Sequence, residues 1–122
     1  MKLTKNFTQE ELACKCGCCG YTISNPFLLG VLEAIRAKAG KPVNVTSAAR
    51  CRTYNAVCGG VENSFHVYGL AADIWIQGMP LCDIVDIAKK CGATGIGTYI
   101  KQGFVHVDVR GLAGFDYSAW ME

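Results

Sequence analysis

Apolar residues recur along this chain with two periods, and the switches between those periods predict its elements. Thr8 followed by Glu11 reads as a capping box, with Phe7 and Leu12 as its hydrophobic staple, so a short helix opens the chain. Phe27, Leu28, Val31, Leu32 and Ile35 then recur at helical spacing, behind Asn25 as N-cap and Pro26 at the first helical position. Gly40 and Pro42 end that helix. β-Branched residues over 43–47 predict a short strand, which runs through Ala48, Ala49 and Arg50 into a helical turn around Tyr54 to Val57. Gly59-Gly60 breaks the turn, and a loop leads to Ser64 and His66. Residues 70–76 form the next strand, residues 80–90 a helix closed by Gly92, and residues 95–100 and 104–109 a hairpin turned at Lys101-Gln102-Gly103. The order predicts an α+β fold, a small, mostly antiparallel sheet flanked by helices.

Period-two logic sorts the last strand. Val105, Val107 and Val109 point to one face, assigned to the core, and Phe104, His106 and Asp108 share the other. In the earlier strand Asp73 shares a face with Ala71 and Trp75. A buried, unpaired carboxylate in so apolar a run would be costly, so Asp73 needs a partner, a cation or solvent.

The chemistry concentrates in one stretch, Ser64-Phe65-His66-Val67-Tyr68-Gly69-Leu70-Ala71-Ala72-Asp73. His66 offers a neutral imidazole nitrogen and Asp73 a hard carboxylate oxygen, a mixture suited to Zn²⁺. The chain holds 2 histidines, so the other, His106, is the natural third ligand. Two histidines and one carboxylate, with a fourth position open, make up a catalytic rather than a structural zinc site. Asp108, about 6.6 Å further along the strand, reaches the space around a metal held by His106.

Size and charge bound this reading. At 122 residues one domain is expected, spanning 1–122. The net charge of +2 comes from scattered basic residues without a run, so no nucleic-acid partner is expected. No apolar stretch approaches the roughly 20 residues that span a bilayer, so no membrane partner is expected either. Met1 to Asn6 is not followed by the apolar segment of a secretory signal, so synthesis in a cytoplasm is expected.

The residues also carry a resemblance. The stretch from Ser64 to Asp73 fits the pattern Ser-x-His-x-x-Gly-x-Ala-x-Asp of the zinc D-alanyl-D-alanine peptidases. That group takes in D,D-carboxypeptidases, D,D-dipeptidases, phage endolysin peptidases and the zinc-binding fold of Hedgehog signalling domains. Asn6-Phe7 through Cys14-Lys15-Cys16-Gly17 looks like the opening of small phage members, and Thr46-Ser47-Ala48-Ala49-Arg50 resembles their Thr-Ser-Gly-Tyr-Arg segment. Asn55, Gly59-Gly60, the strand Phe104-Val105-His106-Val107-Asp108 and Trp120 also fit.

The resemblance implies a Hedgehog/D,D-peptidase-like fold in which His66, Asp73 and His106 bind Zn²⁺. It also implies hydrolysis of a peptide bond in peptidoglycan stem peptides or cross-links. Arg50 matches the arginine directed at substrate or its developing oxyanion, and Ser64 either binds substrate or shapes its loop. Several relatives carry an acid three positions before the last zinc histidine, where this chain has Gly103; others carry a His-x-His pair, where it has Phe104. Asp108 is therefore nominated as general base or as an orienting partner of His106. The missing acid keeps open a non-catalytic zinc module of the Hedgehog type, binding cell wall or a protein. A monomer is expected, acting on the wall after lysis or holin-type release.

The sequence has 8 cysteines. Cys14, Cys16, Cys18 and Cys19 are too tightly bunched for the usual paired Cys-x-x-Cys zinc knuckle, so free thiols are the default, with a second, structural ion on them as the alternative. Cys51 and Cys58 flank the helical turn and are candidates to bridge. Cys82 and Cys91 sit at opposite ends of one helix, about 13 Å apart by helical rise, too far to pair.

Overall fold

Capping chemistry sets the helices where the pattern places them. The computed structural model describes residues 1–61 and 64–122. In α1 (Gln9–Leu12), Thr8 Oγ1 accepts from the Glu11 N–H at 3.2 Å while Glu11 Oε1 accepts from the Thr8 N–H at 3.0 Å. The staple closes too, with Phe7 and Leu12 both buried. In α2 (Pro26–Ala39), Asn25 Oδ1 accepts from the N–H groups of Phe27 and Leu28 at 2.9 and 3.1 Å. Gly40 ends the helix at φ 69°, a left-handed position that glycine takes without penalty.

The buried stripe of α2 is Leu28, Leu29, Val31, Leu32 and Ile35, each contributing about 1.5–3 kcal/mol of burial free energy. Phe27 departs from the predicted stripe: it lies in the first turn at the stripe's edge and is 61% exposed, and Leu29 takes a buried place instead.

Five strands form one sheet in the order β1-β2-β4-β3-β5. They are β1 (Asn44–Ser47), β2 (Ala71–Trp75), β3 (Gly95–Tyr99), β4 (Phe104–Asp108) and β5 (Ser118–Met121). All pairs are antiparallel except β3 with β5, so the expected α+β class with a mostly antiparallel sheet holds. The strand β5 was not anticipated. It is short, at the sheet edge and mostly exposed, so it carries little of the apolar alternation by which strands are read. A short helix α3 (Arg52–Val57) follows β1, α4 (Leu81–Lys90) joins β2 to β3, and a 3₁₀ turn spans Arg110–Ala113.

The core lies on one side of the sheet. Ala72, Ile74, Ile96, Val105 and Val107 pack there with Leu28, Leu32 and Ile35 of α2 and with Ile84 and Ala88 of α4. Val109 is buried as well, so the assignment of the three valines to the core holds. The opposite face of β4 is also shielded, and Asp108 there is fully buried. Among the described residues no helix is long and apolar enough to cross a membrane.

Candidate metal centre and cleft

One row of residues crosses the sheet on the face away from the core. Ser47 pairs with Asp73, Asp73 with His106, His106 with Gly97, and Gly97 with Trp120. A register irregularity between Val45 and Ser47 brings Ser47 opposite Asp73. His66 joins this row from the loop before β2, where Gly69 sits at φ 72° with the Tyr21 hydroxyl against it. Tyr21 donates that hydroxyl to the Val67 carbonyl at 2.7 Å, which ties the loop down.

His66, Asp73 and His106 are all buried, and one donor atom of each lies within 4.8 Å of the others. The second nitrogen of each ring is committed elsewhere. His66 Nδ1 lies 2.8 Å from the Ala48 carbonyl, a pure acceptor, so Nδ1 carries the hydrogen and Nε2 keeps its lone pair. His106 Nε2 lies 2.7 Å from Asp108 Oδ2, so there Nε2 carries the hydrogen and Nδ1 keeps the lone pair. Both lone pairs face Asp73 Oδ1, each at 3.2 Å. Three acceptors converging on one point need an added proton or a cation, and this donor set fits Zn²⁺.

The electrostatics follow from the same contacts. Burial opposes ionisation of Asp73, but where the added charge at that point is a proton, hydrogen bonding with His106 and His66 outweighs burial and holds the carboxyl at about 2. Burial likewise opposes charge on His106, yet Asp108 and Asp73 win and raise its pKa above the ordinary imidazole value. Asp108 is pulled to about 2 in spite of its burial, by His106 and by Arg110. Arg110 donates to it from Nε and Nη2, at 3.0 and 2.8 Å, and from its backbone N–H at 2.9 Å.

Asp108 therefore does not reach the cleft. Both its carboxylate oxygens are engaged and the side chain is sealed, an arrangement that suits orienting His106 better than the role of general base. Arg50 stands on the other side of the centre. It donates to Ser47 Oγ at 3.0 Å, Asn55 Oδ1 at 3.2 Å and Asp73 Oδ2 at 3.3 Å, which leaves Asp73 Oδ1 as the oxygen facing both histidines. Ser64 is buried at the cleft wall, and its Oγ accepts the His66 N–H at 3.2 Å, so it shapes the loop that carries His66.

Above the row opens a cleft of about 750 Å³, lined by Arg50, Ser64, His66, Asp73 and His106, and on its far side by Tyr99, Arg110 and Trp120. The sequence reading gave no role to that far side. Arg110 lies over the rings of Phe65 and Trp120, at 4.5 and 4.9 Å from the centroids, and the Trp120 indole donates to the Tyr99 hydroxyl at 3.0 Å. Gly95 and Gly97 make room for it. A Cβ at Gly95 would collide with Asp108 and Arg110, and one at Gly97 with the Trp120 indole. The acids lining the cleft, among the described residues, are Asp73 and Glu122.

Gly103 explains the acid missing before β4. It sits at φ 79° in the β3–β4 turn and donates its N–H to the Tyr99 carbonyl at 2.8 Å. An acidic side chain at this position would be strained in that conformation.

The cysteines assemble differently from expectation. Cys14, Cys16, Cys19 and Cys51 lie together, their sulfurs within 4.8 Å of one another, while the exposed Cys18 is outside that group. Cys51 and Cys58 cap opposite ends of α3, about 10 Å apart by helical rise, too far for the candidate bridge between them.

An α+β domain whose cleft floor holds two oriented imidazoles and one carboxylate has the make-up of a hydrolytic zinc centre. A sequence profile described as peptidase M15 matches residues 5–108, and the chain belongs to that family. It is 35% identical to a zinc D-Ala-D-Ala carboxypeptidase of Streptomyces albus G over 91 residues, 73% of this chain and 34% of that protein. It is 30% identical to the peptidoglycan L,D-endopeptidase MepK of Escherichia coli K12 over 82 residues, 66% of this chain and 43% of that protein. The chain thus spans less than half the length of these relatives.

Proposed function

We propose that this chain is a zinc peptidase that hydrolyses a peptide bond in peptidoglycan stem peptides or cross-links. The observation that carries the reading is the convergence of two imidazole lone pairs and one carboxylate oxygen on a single point at the floor of an open cleft. His66 Nε2, Asp73 Oδ1 and His106 Nδ1 would hold the ion. When bound, Zn²⁺ polarises the scissile carbonyl and makes water a nucleophile near neutral pH.

The chain's own residues do the rest. Ala48 and Asp108 fix the two rings from behind, so each presents the correct nitrogen. Arg50 orients Asp73 and gives the cleft a fixed positive edge, suited to a substrate carboxylate or a carbonyl oxygen gaining charge. Trp120, Tyr99 and Phe104 form an aromatic wall, with Tyr99 and Phe104 stacked, suited to lie along a peptide backbone. Glu122, the other acid lining the cleft among the described residues, would accept the proton from the attacking water and return it to the leaving amine. One C–N bond is broken, and a carboxylate and an amine are formed from peptide and water.

One relative is a zinc D-Ala-D-Ala carboxypeptidase by name and another an L,D-endopeptidase, so the bond cut here is read from products. The test is digestion of purified muropeptides with mass analysis, with and without chelator, on the wild type and on His106→Ala. Chelator-sensitive products that vanish in the variant support the peptidase, and their masses name the bond. Bound zinc with no turnover on any muropeptide would overturn it in favour of a non-catalytic module. Glu122→Gln should lower kcat by about 10²–10⁴ with zinc retained. An unchanged kcat would remove Glu122 from the reaction.

A further inference from the structure

None of the four clustered cysteines lines the cleft, and they play no part in the proposed hydrolysis. We infer that Cys14, Cys16, Cys19 and Cys51 form a second, structural metal site that takes one zinc ion as a closed tetrathiolate. The cluster draws on two parts of the chain, and Cys14 and Cys51 are 37 residues apart in sequence. Cys16-Gly17-Cys18-Cys19 is a Cys-x-x-Cys turn, a spacing suited to two ligands of one ion. Gly17 and Gly20 bend it at φ 78° and 73°, with no atom near enough to explain them by packing, so their role is in the backbone path.

The sulfur geometry matches the ion. A zinc–sulfur bond of about 2.3 Å sets the sulfurs of a tetrahedron about 3.8 Å apart. Cys16 Sγ and Cys19 Sγ stand at 3.4 Å, and all four sulfurs lie within 4.8 Å. Backbone N–H groups point at three of them: Cys51 N–H at Cys14 Sγ at 3.3 Å, Tyr21 N–H at Cys19 Sγ at 3.4 Å, and Tyr54 N–H at Cys51 Sγ at 3.4 Å. Donors aimed at sulfur are what coordinated thiolates need as outer partners. Four soft ligands with no water position define a structural rather than a catalytic site.

Its place in the fold gives it a task. Cys51 follows Arg50 directly and caps α3, which carries Asn55, a partner of Arg50. The cysteine loop ends at Tyr21, whose hydroxyl holds the loop of His66. An ion here ties the N-terminal loop to both segments that build the cleft wall.

The test is titration of the reduced full chain with Cd²⁺, read by sulfur-to-metal charge-transfer absorbance, to which histidine and aspartate contribute nothing. His66→Ala/His106→Ala serves as the starting protein, so the first site cannot confuse the count. The expected result is a sharp endpoint at one Cd²⁺ per chain with the intensity of four thiolates, reversed by excess Zn²⁺. Cys51→Ser should weaken binding by more than about 100-fold, beyond the effect of losing an outer partner alone, while Cys18→Ser leaves the endpoint unchanged. Absence of the absorbance in the starting protein, or equal loss in Cys18→Ser and Cys51→Ser, would overturn the assignment. Neither outcome depends on peptidase activity.

Discussion

The two ligand clusters of this small domain are built on opposite plans. His66, Asp73 and His106 come from a loop and two neighbouring strands, and the sheet register itself sets Asp73 beside His106. The cysteines come from one tight loop and a single residue at the start of α3. The first cluster offers three hard or borderline donors under an open cleft; the second offers four soft ones, none of which lines that cleft. An open position is what turnover needs, and a closed shell is what a cross-link needs. The strands hold the first site by ladder hydrogen bonds, whereas the cysteine loop is closed at its base by the Ala13–Thr22 bridge and the Cys14 N–H to the Tyr21 carbonyl at 2.7 Å.

Substitutions break this comparison in order of size. His106→Ala should lower turnover about a thousandfold or more, since a metal ion supplies several kcal/mol of transition-state stabilisation, yet leave the thiolate site intact; kinetics beside metal analysis check both. Cys51→Ser should do the reverse, lowering the melting temperature by about 10 °C or more, because binding energy at a structural zinc site is folding energy. Turnover per folded molecule should fall far less than in His106→Ala, and calorimetry with active-site titration separates the two.

Asp108→Asn should cost about 10–100-fold in metal affinity or activity, because the ring of His106 loses the carboxylate that fixes its tautomer. It should also change the acid limb of stability. The folded pKa of Asp108, about 2, lies below its ordinary 3.8, so its contribution is complete above that ordinary value and is lost as pH falls through about 2. Acid titration of wild type and variant, followed by circular dichroism, reads this difference. Thr8→Ala should be the mildest: loss of one capping box, about 1 kcal/mol, with activity unchanged.

The sequence carried the local features well and the cross-chain ones unevenly. Thr8, Asn25 and Gly40 announce their helix ends because capping is a property of a few adjacent residues. Asp73 was conspicuous because a carboxylate between apolar neighbours demands a partner. The orientation of His106 was half legible, since Asp108 on the same strand face was in view but Arg110 folding back to seal it was not. Cys51 in place of Cys18 could not be read from spacing, because contact across 37 residues is made by the tertiary fold. The Cys-x-x-Cys turn of Cys16 and Cys19 was a signal that the density of cysteines hid. Gly95 and Gly97 were silent for a related reason: glycines in a strand gain meaning only once Arg110 and Trp120 are seen to fill the space beside them.

The most direct measurement is zinc content paired with muropeptide digestion on one preparation, for wild type and His106→Ala. The account predicts two zinc ions per wild-type chain and chelator-sensitive product, against one zinc and no product in the variant. Product formation that survives both chelation and His106→Ala would contradict it.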